Sequence, residues 1–461
     1  MNRSTITWMS LVVIALSGCL LACNSNSNDT SPRADASVQT DQQYELATGK
    51  NPHPVKLVIP KVKPLSAMAE LGKSIFYDKS LSGSGQISCA TCHDPHNAYG
   101  PPGDLPVMLG GPHLNSQGAR AVPSLMYLYR QPAFSIGPDP SGDSDNAPNL
   151  NQIANHANQA LRHDKTASQP NAAALNMVPQ GGLFLDGRVD TLQQQAYGPL
   201  LNPVEMDGGS VQIVAAKLKN APYTQDFVDL FGNQIENNPN MQVSEAMFAV
   251  ARYQVEDPSF HPYSSKFDAW LEGKATFTPA QMRGYLLFND PKKGNCAACH
   301  LDQPSKTGLP PLLTDHQFEA LGVPRNTAIA ANKNPDYFDL GICGPFRKDL
   351  AKQTQYCGMF LTPTLRNVAT RKVFFHNGYY HNLDDVLKFY DYRDTNPERI
   401  YPTTTDGKVE KYNDIPTAYQ ANVDMVDAPF NRKRGQQPAL TENEMQYIVA
   451  FLKTLTDGYR Q

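Results

Sequence analysis

Two five-residue stretches carry chemistry in their spacing: Cys89-Ala90-Thr91-Cys92-His93 and Cys296-Ala297-Ala298-Cys299-His300. Two thiols three positions apart with an imidazole directly behind them form the C-x-x-C-H signature of c-type haem attachment. The thiols add to the vinyl groups of the ring, and the adjacent His reaches the iron through a ring nitrogen. Two covalently bound haem c groups are therefore expected. Cys89 and Cys92 would hold one, with His93 on its iron, and Cys296 and Cys299 the other, with His300. The rival chemistry is a Cys/His zinc site, which gathers its ligands as two pairs per metal. Here each motif stands alone in its own half of the chain.

The elements that must position these motifs begin after an export signal. Residues 1–23 combine Arg3, an apolar run from Trp8 to Ala22 and small residues before Cys, a pattern of secretion that is too short and wrongly flanked for a membrane span. Two lipobox-like sequences overlap there, Leu16-Ser17-Gly18-Cys19 and Leu20-Leu21-Ala22-Cys23. A periplasmic lipoprotein anchored through Cys19 or Cys23 is expected, an ordinary secretory signal with incidental Cys being the alternative. Residues 24–62 are rich in Asn, Ser, Asp, Thr, Gln and Pro, too polar to offset the entropy of folding, and read as a flexible tether. The remaining length suggests two domains, 63–272 and 273–461. A net charge of −4 without Lys/Arg clusters gives no reason to expect nucleic acid, and membrane association is expected through the lipid alone.

An internal repeat supports two units. Glu70-Leu71-Gly72-Lys73-Ser74-Ile75-Phe76-Tyr77-Asp78 precedes the first motif, and Met282-Arg283-Gly284-Tyr285-Leu286-Leu287-Phe288-Asn289-Asp290 precedes the second. Each reads as a helix with a Gly and an apolar-Phe pair, followed by a loop and then the Cys pair. The fold class expected is mainly α: two cytochrome-c-like haem domains with long irregular loops, notably 131–180 and 391–440. The last helix, Glu442 to Leu455, shows Met445, Ile448, Val449, Phe451 and Leu452 on one face.

Three stretches, Glu70 to His93, Phe184 to Met206 and Phe360 to Gly378, resemble in order the signature blocks of the dihaem cytochrome c peroxidase and MauG family. The resemblance implies that the N-terminal haem meets hydrogen peroxide while the C-terminal haem stays six-coordinate and passes electrons. Gln195 and Glu205 match the family's distal Gln and Glu. Glu205 is the acid/base candidate, because Gln cannot titrate and can only orient the peroxide. His113, seven residues before Arg120, matches a loop His that binds the N-terminal iron in the resting state of many members and leaves on activation. Either it binds and the resting enzyme is shut, or it does not and that iron is open; Gly110-Gly111-Pro112 would give it the mobile loop the first case needs.

At the C-terminal haem the peroxidases of this family place a Met as sixth ligand fourteen residues past the third-block His, and MauG a Tyr. Counting from His376 gives Tyr390, ahead of Met359 and Met425, which lie out of register. An anionic oxygen ligand would lower that haem's potential, where a thioether would raise it. Two departures set this chain apart. Leu185 stands where the family has a Trp between the haems. At the interdomain calcium ion, Ala121 replaces the side-chain Asn, and Arg371 and Val373 replace the Thr and Pro that lend carbonyls, which leaves a poorer calcium site.

Cys343 and Cys357 remain once haems and signal are assigned, and an even remainder at close spacing in an oxidising compartment predicts a disulfide, with a redox-active pair as the alternative. Arg366 is expected to pair with a haem propionate, a surface salt bridge being the alternative. Three functions follow. The first is a peroxidase fed by a small periplasmic cytochrome c or cupredoxin. The second is a MauG-like oxidase that uses peroxide to modify a side chain of a partner protein. The third, a non-catalytic dihaem electron carrier, has no use for Gln195 and Glu205.

Overall fold

The computed structural model describes residues 33–138 and 177–460. The signal segment, with Cys19 and Cys23, and most of the 131–180 insert lie outside these. By compactness the chain divides into residues 1–41 and 42–461; helix α1 (Arg33–Thr48) crosses that limit, and all that follows concerns the second unit.

The described residues are mainly helical, with three small antiparallel two-stranded ladders. The further helices are α2 (Ala67–Phe76), α3 (Cys89–Cys92), α4 (Leu192–Leu201), α5 (Val211–Lys219), α6 (Thr224–Phe231), α7 (Pro239–Glu256), α8 (Lys266–Leu271), α9 (Pro279–Asn289), α10 (Leu383–Tyr392) and α11 (Glu442–Leu452). The strands are β1 (Leu109–Gly110) with β2 (Ser116–Gln117), β3 (Ser135–Pro138) with β4 (Met177–Gln180), and β5 (Phe318–Glu319) with β6 (Phe360–Leu361). The β3–β4 ladder pairs Ser135 with Gln180 and Pro138 with Met177, so it clamps the two ends of an insert that its composition marks only as loop.

The repeat seen in the sequence is a repeat in packing. Helix α2 starts at Ser66, whose side chain accepts from the Ala69 amide, and buries Leu71, Ile75 and Phe76. It lies against α7 so closely that a methyl group on Gly72 would collide with the Ala249 carbonyl. Helix α9 starts with a capping box between Thr278 and Gln281 and buries Met282, Tyr285 and Phe288. It lies against α11, itself capped by Thr441 and Glu444, and a methyl on Gly284 would strike the Tyr447 carbonyl. In both cases the missing side chain lets two helix backbones touch, and the apolar residues one turn away interlock across the crossing.

Two large apolar cores result. One joins Leu71, Ile75 and Phe76 to Val243, Met247, Val250 and Phe260; the other joins Met282 and Phe288 to Phe389, Ile448 and Phe451. Phe267, Trp270 and Leu271 of α8 belong to the second core, so the apolar division falls before α8 and not at residue 272.

The chain from residue 42 to 62, expected to be part of a flexible tether, is docked instead. The buried Trp270 indole and the Phe277 amide both donate to the Gly49 carbonyl, at 3.0 and 2.8 Å. The Val55 and Val58 amides donate to the carbonyls of Leu271 and Gly308, and Leu57 enters the second core. Average composition misses this because a few contacts suffice: one apolar side chain, and a backbone carbonyl that satisfies a buried indole N–H. The 391–440 stretch is irregular apart from α10's end and short 3₁₀ turns, and is pinned from within by buried Arg393, which donates to Asp394 and the Leu321 carbonyl and lies 3.8 Å from the Phe430 ring.

Candidate haem sites and their surroundings

The first motif is a single helical turn. The Ser88 amide donates to the Thr91 hydroxyl, and the His93 amide closes the turn on the Cys89 carbonyl at 2.9 Å. The second motif turns as a 3₁₀ helix, with the His300 amide on the Cys296 carbonyl at 2.8 Å. This local winding brings both thiols and the imidazole of each motif to one side of the turn.

Both imidazoles are set in the same manner. Nδ1 of His93 lies 3.1 Å from the Tyr99 carbonyl, and Nδ1 of His300 lies 2.9 Å from the Leu313 carbonyl. Burial pushes each ring's pKa down to about 4, so both are neutral; with Nδ1–H spent on a carbonyl, Nε2 carries the free lone pair. None of Cys89, Cys92, Cys296 and Cys299 is in a disulfide, so all four sulfurs are available for thioether bonds. Paired sulfurs beside a neutral imidazole with an open Nε2 suit a thioether-linked porphyrin. Among the described residues no three His, Cys, Asp or Glu side chains gather as a metal-ion site.

An apolar cavity is lined by residues of both cores, Leu125 from the first and Leu387 and Ile448 from the second. Pro123, Leu185, Gln195, Thr364, Cys296, Cys299, His300 and Tyr390 also line it. Tyr390 stands on α10, its ring 5.3 Å from Phe430 and 6.1 Å from Phe375 in stacked arrangements. Burial, then the neighbouring Cys299 and Cys296, raise its phenol pKa. The two other candidate ligands lie elsewhere: Met425 is exposed, and Met359 packs on the small core around the 343–357 loop.

Gln195 is buried on α4, a helix started by Thr191, whose side chain accepts from the Gln194 amide. Glu205 follows in the turn after α4, its amide on the Asn202 carbonyl at 3.0 Å. The Glu205 side chain is exposed to solvent, yet the protein atoms around it partly desolvate the carboxyl and raise it, with the Arg188 guanidinium and Asn202 opposing; its charge in turn raises the Cys92 thiol, which puts it beside the first motif. The β1–β2 hairpin holds this turn: the Gly111 amide donates to the Glu205 carbonyl at 2.7 Å, and Gly110 leaves no room for a side chain there. His113 sits at the tip of that hairpin, exposed and outside the cavity lining.

Arg366 has a carboxylate partner within the protein. Its Nη1 and Nη2 donate to the two carboxylate oxygens of Asp268 at 2.9 and 2.8 Å, and its Nε to the Pro311 carbonyl at 2.7 Å. The guanidinium also lies 4.9 Å from the rings of Tyr127 and Tyr263. Its charge is therefore balanced by Asp268 inside the protein, while the residue also lines the cavity. The partner lies 98 residues away in sequence, beyond the reach of a motif.

Sequence reasoning missed two clusters. Arg120 donates to Asp186 at 2.7 Å and to both oxygens of Asp339 at 2.6 and 2.8 Å, while Arg188 also pairs with Asp186, so three distant loops meet at buried charges. The Asp186-Gly187-Arg188 sequence of the middle block was the available signal. His376 stacks on Phe360 at 3.8 Å and lines the cavity; its Nε2 is 3.4 Å from an Asp414 carboxylate oxygen, an ion-pair distance without hydrogen-bond geometry. Cys343 and Cys357 are joined in a disulfide with Cα atoms 5.0 Å apart.

Comparison with known proteins agrees in extent and order. Residues 66–276 match the family model described as di-haem cytochrome c peroxidase. The methylamine utilization protein MauG of Paracoccus denitrificans is 31% identical over 85% of this chain and 89% of its own, and cytochrome c551 peroxidase of Nitrosomonas europaea is 26% identical over 89% and 85%. The crystal structure of the diheme peroxidase BthA from Burkholderia thailandensis superposes with a TM-score of 0.71 at 33% identity, covering 88% of this chain and 89% of that one. With paired C-x-x-C-H turns at the two cores and a relative at this identity across nearly its whole length, the chain belongs to the dihaem cytochrome c peroxidase and MauG family.

Proposed function

We propose that this protein reduces hydrogen peroxide to water at the haem held by Cys89, Cys92 and His93. Electrons would come from a small periplasmic cytochrome c or cupredoxin through the haem held by Cys296, Cys299 and His300. Two observations support this: a buried amide on the cavity, Gln195, and a carboxyl beside Cys92 of the first motif, Glu205, which its surroundings raise above the ordinary Glu value. An electron carrier needs neither. Bound haem supplies an iron that delivers electrons to peroxide at one open position. Gln195 donates from its amide and orients the peroxide. Glu205 takes a proton from one peroxide oxygen and returns it to the other as the O–O bond breaks. Each peroxide then consumes two electrons and two protons and leaves as two waters. An exposed His113 is consistent with an open first site.

Tyr390 supports a second reading, a MauG-like oxidase acting on a side chain of a partner protein, because a phenolate ligand would favour higher oxidation states at the second haem. Leu185 weighs against it, since a Leu between the haems cannot be oxidised. The first reading includes export to the periplasm and a lipid anchor at Cys19 or Cys23; no helix among the described residues is long and apolar enough to cross a membrane.

Adding peroxide to the diferric protein and following the haem absorption separates these readings. Turnover with a reduced small cytochrome supports the peroxidase. A stable new absorption state formed without prior reduction supports the oxidase. Silence in both the diferric and half-reduced protein would sink both.

A further inference from the structure

Arg371 is a largely buried cation whose partners differ in kind from those of its neighbours. Other buried arginines have carboxylates: Arg120 has Asp186 and Asp339, Arg366 has Asp268, and Arg393 has Asp394. Arg371 lines the cavity, and among the described residues no Asp or Glu pairs with it. Its Nε donates to the Val373 carbonyl at 3.2 Å and its Nη2 to the Val122 carbonyl at 3.1 Å. A second tie lies beside these, the Ala121 amide on the His376 carbonyl at 2.8 Å. The guanidinium thus straps segment 120–123 to segment 371–376. It also reaches the loop behind the first motif, where a methyl on Gly100 would lie 3.6 Å from its Nη1, and its charge acts on His93. Burial lowers its pKa to about 10, which leaves it cationic at neutral pH.

These same segments are where the family resemblance implies a calcium ion, and the residues present do not fit one. Calcium takes six to eight oxygen ligands. Ala121 is buried and offers no side-chain oxygen, and the Val373 carbonyl already accepts from Arg371. A second cation at this point would face a fixed guanidinium across a desolvated space, where repulsion between like charges is strong.

We propose that the Arg371 guanidinium is a built-in cation that replaces a bound divalent ion, tying the two segments together and holding a fixed positive charge against the haem carried by Cys89 and Cys92. A positive charge there favours the reduced iron, which carries one less positive charge than the oxidised form. The inference rests on the haem reading of that motif, so covalent haem content is measured first, by absorbance of the denatured protein; absence of haem overturns both readings.

With both haems present, spectroelectrochemical titration of wild type, Arg371→Lys and Arg371→Gln tests the inference itself. Arg371→Gln should shift the first haem's reduction equilibrium toward the oxidised form by about tenfold, 59 mV for a one-electron couple. The second haem should stay unchanged, and Arg371→Lys should retain most of the wild-type value. An unchanged first haem in Arg371→Gln overturns the proposal. A second arm needs no variant: EGTA or added calcium should leave the wild-type potentials where they are, and a calcium-dependent shift of the first haem overturns the proposal even if Arg371→Gln fails to fold.

Discussion

The Arg366–Asp268 pair offers the sharpest test of Arg366 as a structural cation. Both side chains are almost fully buried, 1% and 4% exposed, and two parallel N–H···O bonds of 2.9 and 2.8 Å join them. Asp268→Asn keeps the shape, and keeps an oxygen for the Ser265 amide and hydroxyl that cap α8 with it. What it removes is the charge, so Arg366 stays buried without a counterion. Breaking a buried pair in this way costs about 3–5 kcal/mol, two to nearly four decades in the unfolding equilibrium, whereas replacing both partners by apolar residues of similar volume is close to neutral. The double variant Arg366→Met with Asp268→Leu should therefore recover most of the stability lost by Asp268→Asn, measured by denaturant unfolding followed through tryptophan and haem signals. The pH dependence has a definite sign. Burial alone would raise the Asp268 carboxyl, but the Arg366 charge and the bonds from Arg366 and Ser265 hold it below its ordinary 3.8. A depressed carboxyl stabilises the fold fully above its unfolded pKa and loses that contribution as pH falls through the folded value. The gap between wild type and Asp268→Asn should stay level from neutral pH to about 4 and close below it. A single-variant cost under about 1 kcal/mol, or a double variant as unstable as the two single losses added, would refute this account of Arg366.

Three further outcomes are expected. Glu205→Gln should lower kcat/KM for peroxide by about 10²–10⁴-fold; in wild type the acid limb of kcat/KM should lie above the ordinary Glu value of 4.5, because the surrounding protein partly desolvates this carboxyl and raises it and it must be ionised to accept a proton, and the limb should vanish in the variant. Tyr390→Met should raise the midpoint potential of the second haem in a spectroelectrochemical titration, and an unaltered potential would mean that Tyr390 does not bind that iron. Gly284→Ala should destabilise the α9–α11 crossing by more than the helix-propensity gain of about 1 kcal/mol that Ala brings, measured as a lower unfolding midpoint, since the added methyl has only the Tyr447 backbone to displace.

What the sequence determined by itself is the chemistry whose signal is local. A C-x-x-C-H pentapeptide folds into one turn, so spacing alone brings two thiols and an imidazole together, and the repeated Gly and apolar-Phe pair before each motif marks a helix there; that each Gly lets a second helix backbone approach comes from the structure. Register within the three family blocks was also enough to single out Gln195, Glu205 and Tyr390 as candidates, and the close pair Cys343 and Cys357 could be read from spacing and compartment. Only the tertiary structure decided the uses of charge and of weakly patterned chain. Arg366 and Arg371 are five residues apart in one block and look alike as letters, yet the first meets a carboxylate brought from α8 and the second, among the described residues, donates to carbonyls. The polar stretch from residue 42 to 62 reads as tether until Trp270, more than 200 residues later, needs an acceptor for its indole N–H and finds Gly49. The physical reason is the same in each case. A buried donor or charge is settled by whichever partner the fold brings within about 3 Å, and that partner has no fixed distance along the chain.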